Sequence, residues 1–127
     1  MRGIAEVTID QGDYATAFLY ARESLGLARE MDARPYLVEN LHLLTYLAQA
    51  IGEREVSTRT YGALEKIREE MNYPLPQVDR EAYEQIQTTL RESLGTAAYE
   101  SLKTEGRQLS LEQALSFLEE TLANRTL

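Results

Sequence analysis

YLVENLHLLTYLAQAI, Tyr36 to Ile51, runs sixteen residues without Gly or Pro. Leu37, Leu41, Leu44, Ala48 and Ile51 recur at helical spacing, and Leu43, Leu47 and Ala50 form a second stripe beside the first. A helix that is apolar over most of its circumference needs neighbours on more than one side. The segment is therefore expected to be the middle helix of a stack, and the flanking sequence tells what is stacked with it.

The chain has 127 residues, one domain's length and enough to bury a core. Strand formers are sparse while Leu, Ala, Glu and Arg abound, a composition that favours an all-α domain. A formal net charge of -8 argues against direct nucleic-acid binding, which needs clustered Lys and Arg. With no cysteine there is neither a disulfide framework nor a thiolate metal site. Met1-Arg2 leads into GIAEVTIDQGD, whose apolar run is too short for a secretory signal and is broken by Glu6. No apolar run is long enough to cross a bilayer, so a soluble cytoplasmic protein is expected.

Taken in order, the chain repeats itself. Gly12-Asp13 and Gly52-Glu53 each close one helical segment and open the next, forty residues apart. At the same offset Ile4 matches Leu44, Val7 matches Leu47, Ala17 matches Ser57 and Leu27 matches Ile67. Glu30-Met31-Asp32 likewise matches Glu70-Met71-Asn72. A first helix over about 2–11 has no residue ahead of it to cap it. Gly12 suits a tight turn with positive φ, and Asp13 is the expected N-cap of a second helix over 14–31. Its inward stripe is Tyr14, Ala17, Phe18, Ala21, Leu25 and Ala28. Pro35 fits the first turn of the central helix. A fourth helix over 53–72 would face Val56, Tyr61, Leu64, Ile67 and Met71 inward and stop at the linker Tyr73-Pro74-Leu75-Pro76, a stiff extended connector.

Asp79 is the expected cap of a fifth helix over 80–94, with Tyr83, Ile86, Leu90 and Leu94 as its apolar stripe. Gly95 follows it as Gly52 follows the central helix, now at an offset of 43. A sixth helix over 96–105 stops at Gly106. Ser110-Leu111-Glu112-Gln113 reads as a capping box. It opens a last helix with Leu111, Ala114, Leu115, Leu118 and Leu122 on one face, expected to cap the stack. The units are thus about 1–33, 34–73 and 77–106, with a capping helix over 110–124 in a single domain. Seven helices in antiparallel pairs, stacked as a short superhelix, are the expected architecture.

Gly12-Asp13-Tyr14 with Ala17 resembles the turn and packing alanine of tetratricopeptide-type repeats of about forty residues. Gly52 with Ser57 repeats that pattern, although Arg54 stands where Tyr14 stood and the family tryptophan is absent. Leu90 to Gly95, Glu105-Gly106 and Leu109 to Ala114 resemble the end of the repeat region in bacterial signal-transduction ATPases and LuxR-type transcription regulators. Those proteins carry a nucleotide-binding module and often a DNA-binding helix-turn-helix. No G-x-x-x-x-G-K-[ST] phosphate loop occurs in this sequence. The resemblance implies a TPR-like sensor or interaction part, either a fragment of such a regulator or a stand-alone relative, with any ATPase or DNA-binding role in other segments.

The resemblance also implies that first helices of each unit line a groove for partner peptides. By register the central helix would present Glu39, His42, Tyr46 and Gln49, the first helix Arg2, Glu6 and Asp10, and the fifth helix Gln85, Thr89 and Glu92. An aromatic ring gives such a stripe contact area and the polar ends give it direction. Acid outweighs base in the set, which favours a basic or amide-rich ligand. The same stripe also reads as the solvated side of the helix. His42, the lone histidine, has too few companions for a zinc site or for acid–base catalysis and reads as a groove or surface residue. Tyr14, Tyr61 and Tyr83 fall on core stripes. Glu69-Glu70 and Glu119-Glu120 read as solubilising charge, and Asn124-Arg125-Thr126 as a chance glycosylation match.

Three classes of function follow. A non-enzymatic scaffold that binds a protein or peptide leads, with no cofactor and no metal. Self-association as a homodimer through an apolar N-terminal edge of Met1, Ile4 and Val7 is the alternative. An enzyme or small-molecule sensor has only the neighbourhood of His42 behind it.

Overall fold

The computed structural model describes residues 4–125. Met1, Arg2 and Thr126 lie outside the described residues, as does the Ile4 side chain, and with them the N-terminal homodimer edge, the first groove position of α1 and the glycosylation match.

The chain is all-α. Among the described residues there are seven helices and no strand: α1 (Ile4–Asp10), α2 (Tyr14–Glu30), α3 (Arg34–Ala50), α4 (Arg54–Met71), α5 (Gln77–Leu94), α6 (Thr96–Gly106) and α7 (Leu111–Ala123). None is long and apolar enough to cross a membrane. Three-residue links join α1 through α4, so consecutive helices that touch must reverse direction.

Helix α3 packs on α1, α2, α4 and α7, as its apolar circumference requires. Val38, Leu41, Leu44 and Ala48 are wholly buried. Two polar residues are buried with them, and each is satisfied within the helix. The Asn40 amide donates to the Tyr36 carbonyl at 2.9 Å, and the Thr45 hydroxyl donates to the Leu41 carbonyl at 2.7 Å.

The turns recur at the forty-residue offset seen in the sequence. Gly12 and Gly52 take φ of 84° and 91°, and Asp32 and Asn72 take φ of 49° and 51°. Backbone N–H of Asp13 and Glu53 bonds the carbonyls of Thr8 and Ala48, and N–H of Ala33 and Tyr73 bonds those of Ala28 and Arg68. Each link thus closes the helix before it with the same left-handed step, a conformation open to Gly and tolerated by Asn and Asp.

The second half departs from the expected stack in four ways. Helix α5 begins at Gln77, with Pro76 as its cap at φ -55° and ψ 142°; Asp79 lies in the first turn. A proline has no N–H to leave unsatisfied, so it enters a helix without a polar cap. Of the α5 stripe only Leu90 is buried, while Tyr83, Ile86 and Leu94 are half-buried. Gly106 closes α6 from inside and is buried there. A Cβ on it would strike the Arg59 backbone, and one on Gly62 would strike that of Lys103, so paired glycines let α4 and α6 cross in backbone contact. Finally, α7 lies against α3 and α4 and not on the end of the stack. Its capping box forms as expected, Ser110 Oγ accepting from Gln113 N–H and Gln113 Oε1 from Ser110 N–H. Its five-residue stripe is buried.

Two of the acidic residues read as free solubilising charge are paired. Glu119 and Glu112 hold Arg29 of α2, at 2.9 and 3.0 Å, and Glu69 pairs with Arg107 at 2.6 Å. Exposed pairs of this kind contribute little each, and they tie α7 to α2 and the α6 end to α4.

Candidate binding cleft

Helices α1, α3 and α5 stand around a cleft of about 530 Å³ with α4 beneath it. His42, Tyr46 and Gln49 line it from α3, spaced so that three successive turns present one face. From α5 come Asp79, Gln85 and Thr89, with Val78, Ala82 and Ile86 as apolar wall. Glu6 enters from α1, and Tyr61 and Tyr83 make the floor, packed edge to face with centroids 5.4 Å apart. Five of the seven groove residues expected on α3 and α5 therefore meet in one place: His42, Tyr46, Gln49, Gln85 and Thr89.

Glu39 and Glu92 do not line it. Glu39 sits one turn before His42, where Tyr73 folds back from the linker and donates its hydroxyl to the carboxylate at 3.0 Å. Glu92 is exposed one turn past Thr89, beyond the last lining residue of α5. Of the expected α1 residues, Glu6 lines the cleft, and Asp10 accepts the Tyr46 hydroxyl at 2.6 Å. That bond fixes the Tyr46 ring at the mouth.

His42 is held from behind. The Arg68 guanidinium, which can only donate, puts Nη2 3.3 Å from His42 Nδ1. Nδ1 is then the acceptor, and the ring proton belongs on Nε2. Burial lowers the His42 pKa from its ordinary value and the Arg68 charge lowers it further, against the smaller opposing pull of Glu6, Glu39 and Asp79. The imidazole is a neutral hydrogen-bond donor at neutral pH.

Arg68 is the residue the sequence reading missed. It is buried, with Nη1 donating to the Tyr73 carbonyl at 3.2 Å, Nη2 paired with Glu39 at 3.4 Å and its plane 5.1 Å from the Tyr73 ring. Its position carried a signal: Ser57, Tyr61, Leu64 and Arg68 share one helical stripe, and the first three are core. A cation on a core stripe calls for a partner. Tyr61 is the other surprise. It is fully buried and its hydroxyl has no hydrogen-bond partner, a state that burial makes hostile to ionisation, so its pKa is pushed well up. Tyr83 donates its hydroxyl to Glu65, and burial with that carboxylate also raises its pKa.

The cleft thus combines aromatic and apolar surface, carboxamides able to donate and accept, a neutral imidazole donor, and the carboxylates of Glu6 and Asp79. Among the described residues that line it there is no Lys or Arg. Its chemistry complements a cation or an amide. No family model matches the chain, and searches of curated proteins and of solved structures return no match.

Proposed function

We propose that this chain is a non-enzymatic binding module that takes a basic or amide-rich peptide segment of a protein partner in the cleft between α3 and α5. The single observation that carries this reading is the composition of the cleft wall. Glu6 and Asp79 supply negative charge, Gln49 and Gln85 supply carboxamides, and none of the described side chains of the wall is cationic. Tyr46 is the anchor, a ring at the mouth already held by Asp10 and so ordered before any ligand arrives. The likeness of the repeats to those of bacterial signalling regulators supports a relay role, with the module as the sensor or interaction part.

The test is calorimetric titration of the purified chain with short peptides rich in Arg and Lys, in Gln and Asn, or in Glu. A basic or amide-rich peptide should saturate one site, and the acidic peptide should not. Tyr46→Arg puts a cation into the acidic cleft and should weaken binding about ten-fold or more, whereas Glu120→Gln on the exposed face of α7 should leave it unchanged. Circular dichroism checks that each variant folds. Saturable binding that survives Tyr46→Arg, or no binding by any peptide class, would refute the proposal.

A further inference from the structure

Among the described residues that line the cleft, Tyr61 alone holds a buried polar atom without a hydrogen-bond partner. It is 0% exposed, at the floor. A buried hydroxyl left unpaired costs stability, and phenylalanine would fill the same space without that cost, so the oxygen asks for a reason. Elsewhere the chain gives its tyrosine hydroxyls a carboxylate: Tyr46 donates to Asp10, Tyr73 to Glu39 and Tyr83 to Glu65.

A second donor stands at the same end of the cleft. His42 receives Arg68 at Nδ1, and its Nε2–H has no acceptor among the described residues. Burial is the main cause of the raised Tyr61 pKa and of the lowered His42 pKa, with Arg68 next for His42. After these, the Glu6 charge pulls both upward, and Tyr46 adds to the pull on Tyr61. One carboxylate acting on both groups sets the Tyr61 hydroxyl and the His42 ring near each other on the side of the floor that faces α1. The local field then runs from the Arg68 charge behind the imidazole to the Glu6 carboxylate. A neutral dipole fits along that line, whereas a buried cation would face Arg68 and a buried anion would face Glu6.

We propose that the floor of the cleft is a subsite for one primary carboxamide, a Gln or Asn side chain of the partner segment. The inference rests on the binding-module reading above and names the residue that the module selects. The amide oxygen has two lone pairs and accepts from the Tyr61 hydroxyl and the His42 Nε2–H. The amino group turns toward Glu6, whose carboxylate has lone pairs for more than one donor. The hydroxyl lies just beneath the floor's surface, so the amide reaches it as a bordering side chain turns aside, an ordinary change at an interface. Basic residues of the segment stay at the rim, where Asp79 lines the wall. Tyr61 is thus a specificity residue: its unpaired hydroxyl costs the free chain stability and is satisfied only in the complex.

Calorimetric titration of the whole chain tests the proposal, using short peptides of Ala, Ser and Arg that differ only in a central Gln, Met, Glu or Lys. The Gln peptide should bind about ten-fold tighter than the Met peptide, which has the same reach and no hydrogen-bonding head. The Glu and Lys peptides should be weaker than Gln by at least as much. Tyr61→Phe should erase most of the preference for Gln over Met, leave the Met peptide's affinity unchanged and lose no thermal stability. A residue that only supported the fold would weaken every peptide alike. Equal binding of Gln and Met, tighter binding of Lys or Glu, or a preference that survives Tyr61→Phe would overturn the carboxamide subsite. If binding is still lost in Tyr46→Arg, the cleft stands as the binding site. Binding by none of the peptides would overturn both.

Discussion

Alanine at position 106 should be among the most damaging single-methyl additions this chain can receive. The new Cβ would lie 2.7 Å from the Arg59 carbonyl carbon and 3.2 Å from the Ala63 backbone nitrogen, and nearer still to the Arg59 oxygen. All of these are backbone atoms of α4 and cannot rotate aside, so α6 has to move as a body. Overpacking of this kind costs about 1–3 kcal/mol. Alanine's better helix propensity offsets at most about 1 kcal/mol of that, and less at the last position of a helix. A net loss of about 2 kcal/mol corresponds to a fall in Tm of roughly 7 °C for a chain of this length. Urea unfolding followed by far-ultraviolet circular dichroism measures it directly. Gly26→Ala is the control. The same substitution in open space should gain up to about 1 kcal/mol. A Gly106→Ala variant as stable as wild type would mean that α6 does not sit on α4 at backbone contact, and the argument for both glycines would fall.

Two further outcomes follow from the buried polar groups of the cleft. His42 in the unfolded chain takes a proton near its ordinary pKa of about 6.5, and in the folded chain only at lower pH, so the unfolded state binds more protons in that interval. Stability should therefore be complete above about pH 6.5 and decline as the pH drops below it. His42→Gln, which still offers Arg68 an acceptor, should flatten that limb of the urea midpoint against pH, and an unchanged slope would show that the imidazole is not held neutral. Tyr61→Phe removes a buried hydroxyl without a partner, so the variant should be no less stable, and more stable by up to about 1 kcal/mol. A clear loss of thermal stability would show that the hydroxyl is bonded after all.

How much was legible depends on how far apart the deciding residues lie. The α7 stripe and its Ser110–Gln113 capping box were readable in full, because both are set by residues within four positions of each other. Most of the inward face of α2 was too: Ala17, Phe18, Ala21, Leu25 and Ala28 are buried, while Tyr14 at the start of the stripe is half-buried. On α5 the same periodic reasoning pointed to the right residues but overstated their burial. Tyr83 and Ile86 spend part of their surface lining the cleft, since α6 takes the close position on α4 through Gly62 and Gly106. For the cleft itself, His42, Tyr46 and Gln49 on α3 and Gln85 and Thr89 on α5 were named through the register that the repeat resemblance implies, and they line one cleft. Glu39 has the right spacing too, yet Tyr73 and Arg68 claim its carboxylate, and no spacing rule contains that competition.

From its sequence alone this protein was bound to be helical, to turn with left-handed steps at Gly12 and Gly52, and to bury the stripe of Leu37, Leu41, Leu44 and Ala48 among several neighbours. Those outcomes rest on local sterics, on helical periodicity and on the need to hide apolar surface. The tertiary structure alone decided that α7 returns to α3 and α4, that Arg68 is buried behind His42, and that α5 faces α3 across an acidic, aromatic cleft. These arrangements depend on which distant surfaces fit at close range. A glycine's missing Cβ or a buried cation's partner takes effect only once the chain has brought its counterpart into contact.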